Sequence, residues 1–171
     1  SIAAIAGLMR REGLRRMVLM VPFILIFIFL ALRFDFGNDY MSYYDIFYDV
    51  GSLRISDVLI YDGRVEIGWL FLCLIFKSFG FYSMVAFLAA LNSIVYYRFL
   101  IKYCPHKYYW LFLFLYIFTP DLMLIQASAM RQSLAILIFI LSLEFLFSKN
   151  IFMYLLLVAL VCFFLSSIVI V

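Results

Sequence analysis

The sequence predicts an all-α protein, a polytopic transmembrane helix bundle with about five spans and one short non-spanning helix on the outer face. Three observations predict it. Of the 171 residues, 69% are hydrophobic and only 13% charged, with a mean hydropathy of +1.16. Soluble domains run at roughly 45–50% apolar and about 25% charged, and a water-soluble fold of this length has no interior large enough to hide the difference. Several apolar runs also approach or exceed the roughly 20 residues that cross hydrocarbon as a helix. None of them alternates apolar with polar residues as barrel strands do. Residues 1–171 therefore read as a single integral membrane domain.

The elements follow in chain order. A short apolar run, 1–9, is followed by Arg10, Arg11, Arg15 and Arg16, where a signal peptide would carry a small-residue cleavage site. Residues 17–32 form the first span, which Phe34 and Phe36 extend. Gly37 supplies a turn and Asn38 an N-cap for a helix beginning near Asp39. On that helix Tyr40, Tyr43, Tyr44, Phe47 and Val50 share one face, with Asp45 and Asp49 opposite. This is the pattern of an interfacial helix with its aromatic side down, serving as a belt anchor or as the wall of a substrate cleft. Residues 67–76, between Glu66 and Lys77, are too few to span alone. Residues 81–101 form a clean span. Residues 108–119 form a shorter or kinked one that ends at Pro120. Residues 122–147 read as one long helix that crosses with tilt, and 151–171 as the last span. With Ser1 at one end and an apolar stretch at the other, the sequence reads as a fragment of a longer protein.

Basic residues orient the bundle. Arg10, Arg11, Arg15 and Arg16 precede the first span, Arg98, Lys102 and Lys107 surround Cys104, Pro105 and His106, and Lys149 lies in a hairpin with Ser148 and Asn150. The positive-inside rule then places the amino terminus and the inner loop 98–107 in the cytoplasm. The outer loop 33–80 holds Asp35, Asp39, Asp45, Asp49, Asp57, Asp62 and Glu66, most of the ten acids. Residues 67–76 must then lie on the outer face or dip into it, because a full crossing there would put the Lys102 loop outside.

Composition also excludes functions. A net charge of +3 with no basic stripe excludes a nucleic-acid partner. Cys73, Cys104 and Cys162 have no paired spacing and read as packed thiols. There is no Gly-rich phosphate loop and no cluster of metal-binding carboxylates. Arg131 is the most informative residue, because a guanidinium on an apolar helix costs several kcal/mol unless it is paired or faces water. Ser128, Arg131, Ala135 and Ser142 lie on one helix face, a small-residue seam, with Gln126 and Gln132 nearby. Arg131 then serves a site near the outer boundary, or it pairs with Asp121 or an acid of the outer loop. Asn92 reads as an interhelical hydrogen bond, Glu144 as an interface carboxylate near Lys149, and His106 as a lone histidine. Arg33 and Asp39 bracket the mouth of the first span.

Three motifs stand in order. Arg33, Gly37, Asp39, Tyr40 and Tyr43 match an "R…GxDYxxY" pattern. The run Glu66, Ile67, Gly68, Trp69 and Leu70, with Phe79 and Gly80, is the counterpart of "EPG(Y/F)xxL…FG", with Ile67 in place of the proline. Arg131, Gln132 and Ala135 match "RQxxA". Together the sequence resembles the EpsG family of Wzy-like exopolysaccharide and O-antigen polymerases. Within the family's "A…FHxS" motif, at 159–167, a serine stands as Ser166 or Ser167, but Phe164 or Leu165 replaces the histidine.

The resemblance implies a glycosyltransferase of polysaccharide biosynthesis. It would join oligosaccharide repeat units carried on polyprenyl diphosphate at the outer face of the bacterial cytoplasmic (inner) membrane. It implies Arg131, Asp39 and Glu66 as catalytic residues and Arg33, Tyr40, Gln132 and Ser167 as substrate-binding residues, with no cofactor and no metal. The partners implied are the lipid-linked glycan, the bilayer and other polysaccharide assembly proteins. A lipid-linked glycan transporter or flippase, or a non-catalytic membrane subunit of an assembly complex, are the alternatives.

Overall fold

The computed structural model describes residues 12–37, 39–52 and 65–164, and every regular element among them is helical. The helices are α1 (Glu12–Ala31), α2 (Tyr40–Ser52), α3 (Ile67–Phe76), α4 (Phe81–Tyr103), α5 (Tyr109–Phe118), α6 (Pro120–Ser128), α7 (Met130–Phe147) and α8 (Ile151–Phe164), with a single 3₁₀ turn (His106–Tyr108) before α5.

Two core clusters set their directions. Near one end, Tyr40, Tyr43 and Phe47 of α2 and Trp69, Leu70 and Cys73 of α3 pack on Phe81 and Met84 of α4 and on Met130 and Leu134 of α7. At the other end, Lys102 of α4 meets Glu144 of α7 at 3.0 Å, with Arg98 at 3.9 Å from the same carboxylate. So α4 and α7 run parallel. Helix α1 is antiparallel to α4: Tyr97 donates to the Arg16 carbonyl at 3.2 Å, while Leu30 shares a core cluster with Ala89. Helices α5 and α6 carry the chain back, and α8 returns along α7 until Phe164 reaches the first cluster. The turn into α8 uses Lys149 at φ 60, and Asn150 Oδ1 accepts from the Met153 amide at 3.3 Å as its cap.

The bundle therefore has two unlike ends. Arg16, Arg98, Lys102 and Glu144 gather at one end, and Arg33, Glu66, Gly80 and Arg131 at the other. Residues 33 and 80 lie at the same end, so α2 and α3 form a cap instead of a crossing.

By length and composition, two helices among the described residues can cross a membrane, Phe81–Tyr103 and Met130–Phe147. The pair His106–Phe118 and Leu122–Ser128, bent by 54°, makes a third if it is one span. The stretches Arg16–Ala31, Ile67–Phe76 and Ile151–Cys162 are shorter apolar helices, so this measure gives two to three spans and does not reach the five read from the apolar runs. Pro120 sits at the first position of α6 behind the Thr119 cap, where a missing amide hydrogen costs nothing, and so it starts a helix and ends the one before it.

Two expectations are corrected. The run 122–147 is not one helix but is broken at Ala129, at φ −96 and ψ 75. In a continuous helix the Gln126 carbonyl would accept from the Met130 amide, but here it accepts from Arg33 Nη1 at 2.6 Å. Ser128 and Arg131 thus belong to different helices, and the small-residue seam reduces to the buried Ala135 and Ser142 of α7. The aromatic face of α2 is the second correction. Tyr40, Tyr43, Phe47 and Val50 are buried against protein, not against lipid, because Trp69 and Phe81 offer ring edges at 5.0–5.6 Å.

Candidate functional site

The site begins with an ion pair. Glu66 precedes α3, and its own carbonyl accepts from the amides of Trp69 at 3.0 Å and Leu70 at 3.2 Å, which fixes its backbone at the helix start. Its carboxylate accepts from Arg131 Nη1, in the first turn of α7. The Glu66 side chain is 3% exposed and that of Arg131 26%, so the acid is sealed in while the base keeps an open edge. Arg131 also lies over the Tyr43 ring, 5.4 Å from its centroid. Tyr43 in turn rests on Trp69, with centroids 5.0 Å apart. One guanidinium thus ties together α2, α3 and α7.

A second guanidinium lies deeper. Arg33 is 8% exposed. Its Nη1 holds the Gln126 carbonyl, its own carbonyl accepts from Tyr40 Oη at 3.2 Å, and its buried Nε has no hydrogen-bond partner. None of the ion pairs among the described residues includes it. Burial pushes its pKa down to about 10. The turn after it crowds α6: Gly37, at φ +85, lies so close to Ser128 that an added Cβ would stand 2.2 Å from the Ser128 Cβ. Only glycine meets both demands.

Beneath Arg33 lies a polar network. Gln126 Oε1 accepts from Asn92 Nδ2 and from Ser133 Oγ, Gln126 Nε2 donates to Tyr96 Oη at 3.1 Å, and Tyr116 Oη donates to Asn92 Oδ1 at 2.7 Å. These bonds join α4, α5, α6 and α7, and they hold the Ala129 break in place. Asn92 is thus the interhelical hydrogen bond that its position suggested. A cavity of about 10 Å³, room for one water, lies among Arg33, Asn92, Gln126, Met130 and Ser133.

Comparison with known proteins adds one match: the model of the EpsG family matches residues 16–171. The chain belongs to the EpsG family. No curated protein and no solved structure matches it. EpsG membership suggests a Wzy-like polysaccharide polymerase, and the apolar helical bundle fits a multi-pass membrane protein.

Within the EpsG frame, the predicted residues sort by position. Arg131 and Glu66 touch, and Arg33 lies beside the start of the Arg131 helix, on the shared cavity. Tyr40 is fully buried and bonds the Arg33 carbonyl. Gln132 is exposed on the first turn of α7. Asp39 is exposed before α2, and its carbonyl accepts from the Tyr43 amide at 3.0 Å. Ser166, Ser167, Leu165 and Asn38 lie outside the described residues, as do Arg10, Arg11, Asp57 and Asp62. Phe164, one candidate for the family's histidine position, is partly buried against the first core cluster.

The sequence missed Tyr43 as a cation partner and Gln126 as the hub, though a glutamine and an asparagine in apolar runs were the available signal. Glu144 pairs with Lys102 and Arg98 and not with Lys149, and His106 Nδ1 shares a hydrogen bond with Tyr109 Oη at 2.8 Å. Of the free cysteines, Cys73 is buried, Cys104 half-buried and Cys162 exposed, so close packing of the thiol holds for Cys73.

Proposed function

We propose that this chain is a polymerase at the outer face of the bacterial cytoplasmic membrane that joins oligosaccharide repeat units carried on polyprenyl diphosphate. Family membership supports the chemistry. The observation that carries the reading is the gathering of Glu66, Arg131 and Arg33 at the end of the bundle opposite Arg98 and Lys102. Under the positive-inside rule the Arg98 end is cytoplasmic, so the chain crosses with α1, α4, the bent α5–α6 pair, α7 and α8, amino terminus inside. In this reading the acceptor hydroxyl attacks the anomeric carbon of the growing chain, the bond from that carbon to the phosphate oxygen breaks, and polyprenyl diphosphate leaves. Arg131 and Arg33 meet the diphosphate, since a guanidinium stays charged in a dry site and fits phosphate oxygens. Asp39 or Glu66 takes the hydroxyl proton. Tyr40 fixes the Arg33 backbone, and Gln132 and Ser167 contact the substrate. Partner proteins of polysaccharide assembly would receive the product.

A second reading follows from Phe164 or Leu165 standing where the family carries histidine: a non-catalytic subunit of an assembly complex. Two experiments test these readings. In the native host, the full-length protein with Arg131→Ala is expected to lose its polysaccharide ladder at normal membrane protein level. An unchanged ladder overturns the site. Purified full-length protein that forms no polymer from lipid-linked repeats favours the second reading.

A further inference from the structure

The break at Ala129 leaves something that a continuous helix would not have. Helix α7 starts behind an alanine, which has no side chain to cap it. The Ala129 carbonyl accepts from the Ser133 amide at 2.9 Å and the cap makes no side-chain hydrogen bond, so the first-turn amides of Met130, Arg131 and Gln132 are the ones that a helix start leaves without a partner inside the helix. Ser, Thr, Asp or Asn normally supplies one, and an uncapped start of an 18-residue helix carries partial positive charge. An independent observation points the same way. Arg33, nine-tenths buried, lines the cavity that Met130 and Ser133 of this turn also line, and its Nε has no partner. On the other side Arg131 belongs to the turn itself and keeps an open edge. Only Glu66 opposes this charge among the ion-paired acids described at this end.

We propose that the start of α7 is an anion seat, in which the free amides of residues 130–132, flanked by Arg131 and Arg33, bind phosphate oxygens of an isoprenyl diphosphate. The identity of the isoprenyl carrier rests on the polymerase reading, whereas the seat itself rests on the break. The cavity admits one oxygen-sized group, so one phosphoryl oxygen points toward Arg33 while the rest of the diphosphate lies along Arg131 and the exposed Gln132. This gives the "RQ" pair a physical meaning: it is the first turn of a helix whose backbone is left open to a ligand.

Farnesyl diphosphate, a short isoprenyl diphosphate, is the probe, with full-length protein in nanodiscs and inorganic pyrophosphate as competitor. Ala129→Asp places a resident carboxylate at the cap, which satisfies the amides and favours the helix while it repels the ligand. It is expected to weaken binding about tenfold or more, and Ala129→Asn, a neutral cap of the same size, to weaken it less. Arg33→Gln is expected to cost about tenfold as well, and it keeps the idea testable if the buried Ala129 position rejects a larger side chain. Parent-like binding by the folded Asp and Gln variants overturns the seat. So does farnesyl diphosphate binding that pyrophosphate does not compete with, because the isoprenyl tail alone would then be held. Binding that follows these variants in a protein that makes no polymer from lipid-linked repeats leaves the seat standing and sinks the polymerase reading instead.

Discussion

Glu66 and Arg131 form one unit with unequal members. The acid is sealed and the base is a quarter exposed. Removing the base therefore strands a buried carboxylate, whereas removing the acid leaves a guanidinium that still reaches its open edge and the Tyr43 ring. Arg131→Ala is expected to destabilise by about 3 kcal/mol, Glu66→Ala by less, and the double variant by less than the sum of the two. Thermal unfolding of the four proteins in detergent checks this order, and equal single-variant losses would contradict it. The double variant also separates activity from folding: it should recover part of the stability while making no polymer. Each of the two residues stood out in the sequence as a charge bordering or interrupting apolar runs. Their pairing did not, because the partners are 65 positions apart and meet only once α2 and α3 cap the bundle. Tyr43 was visible as part of an aromatic face, but its use as a cation partner depends on where α7 begins.

Most helices were legible as apolar runs and turn residues, since Pro120, Gly80 and the 148–150 hairpin mark boundaries by local chemistry. The split at Ala129 was not legible. Nothing local stops the run 122–147, and the break is imposed by bonds to distant residues, from Arg33 to the Gln126 carbonyl and from Asn92 and Ser133 to its side chain. The Ser128 end of α6 is further fixed by its closeness to Gly37. Gly37→Ala forces a Cβ into Ser128 and strains a positive φ, so it is expected to destabilise by about 1–3 kcal/mol and to disturb Arg33 next to it. Gly51→Ala is the matched control: it lies in α2 with open space around it and is expected to be neutral or to stabilise by about 0.5–1 kcal/mol. Urea or thermal unfolding of both variants gives the comparison, and similar behaviour of the two would mean that the turn at Gly37 is free to move away from α6.

For the molecule as a whole, charge and topology make the same division by independent routes. The hydrogen bond of Tyr97 to the Arg16 carbonyl and the Lys102–Glu144 pair place Arg16, Arg98 and Lys102 together, while the chain path through the cap keeps Arg33, Gly80 and Arg131 at the opposite end. This arrangement needs α3 not to cross, and its ten residues, about 15 Å of helix, are too short to do so. The orientation is then testable with surface labels. In a background without Cys73, Cys104 and Cys162, Asp49→Cys and Gln132→Cys in full-length protein are expected to react with a membrane-impermeant maleimide on intact cells stripped of any outer barrier. Lys107→Cys and Lys149→Cys should react only after the membrane is opened. Labelling of positions 49 and 107 from the same side would mean that the cap crosses after all, which would overturn the outer-face placement that the polymerase reading requires. Labelling of all four in the reverse sense would turn the bundle over and leave the pair facing the cytoplasm, where the basic cluster would then be the end exposed to the outside. The expected pattern therefore decides whether the sealed carboxylate and its arginine face the compartment that the polymerase reading requires.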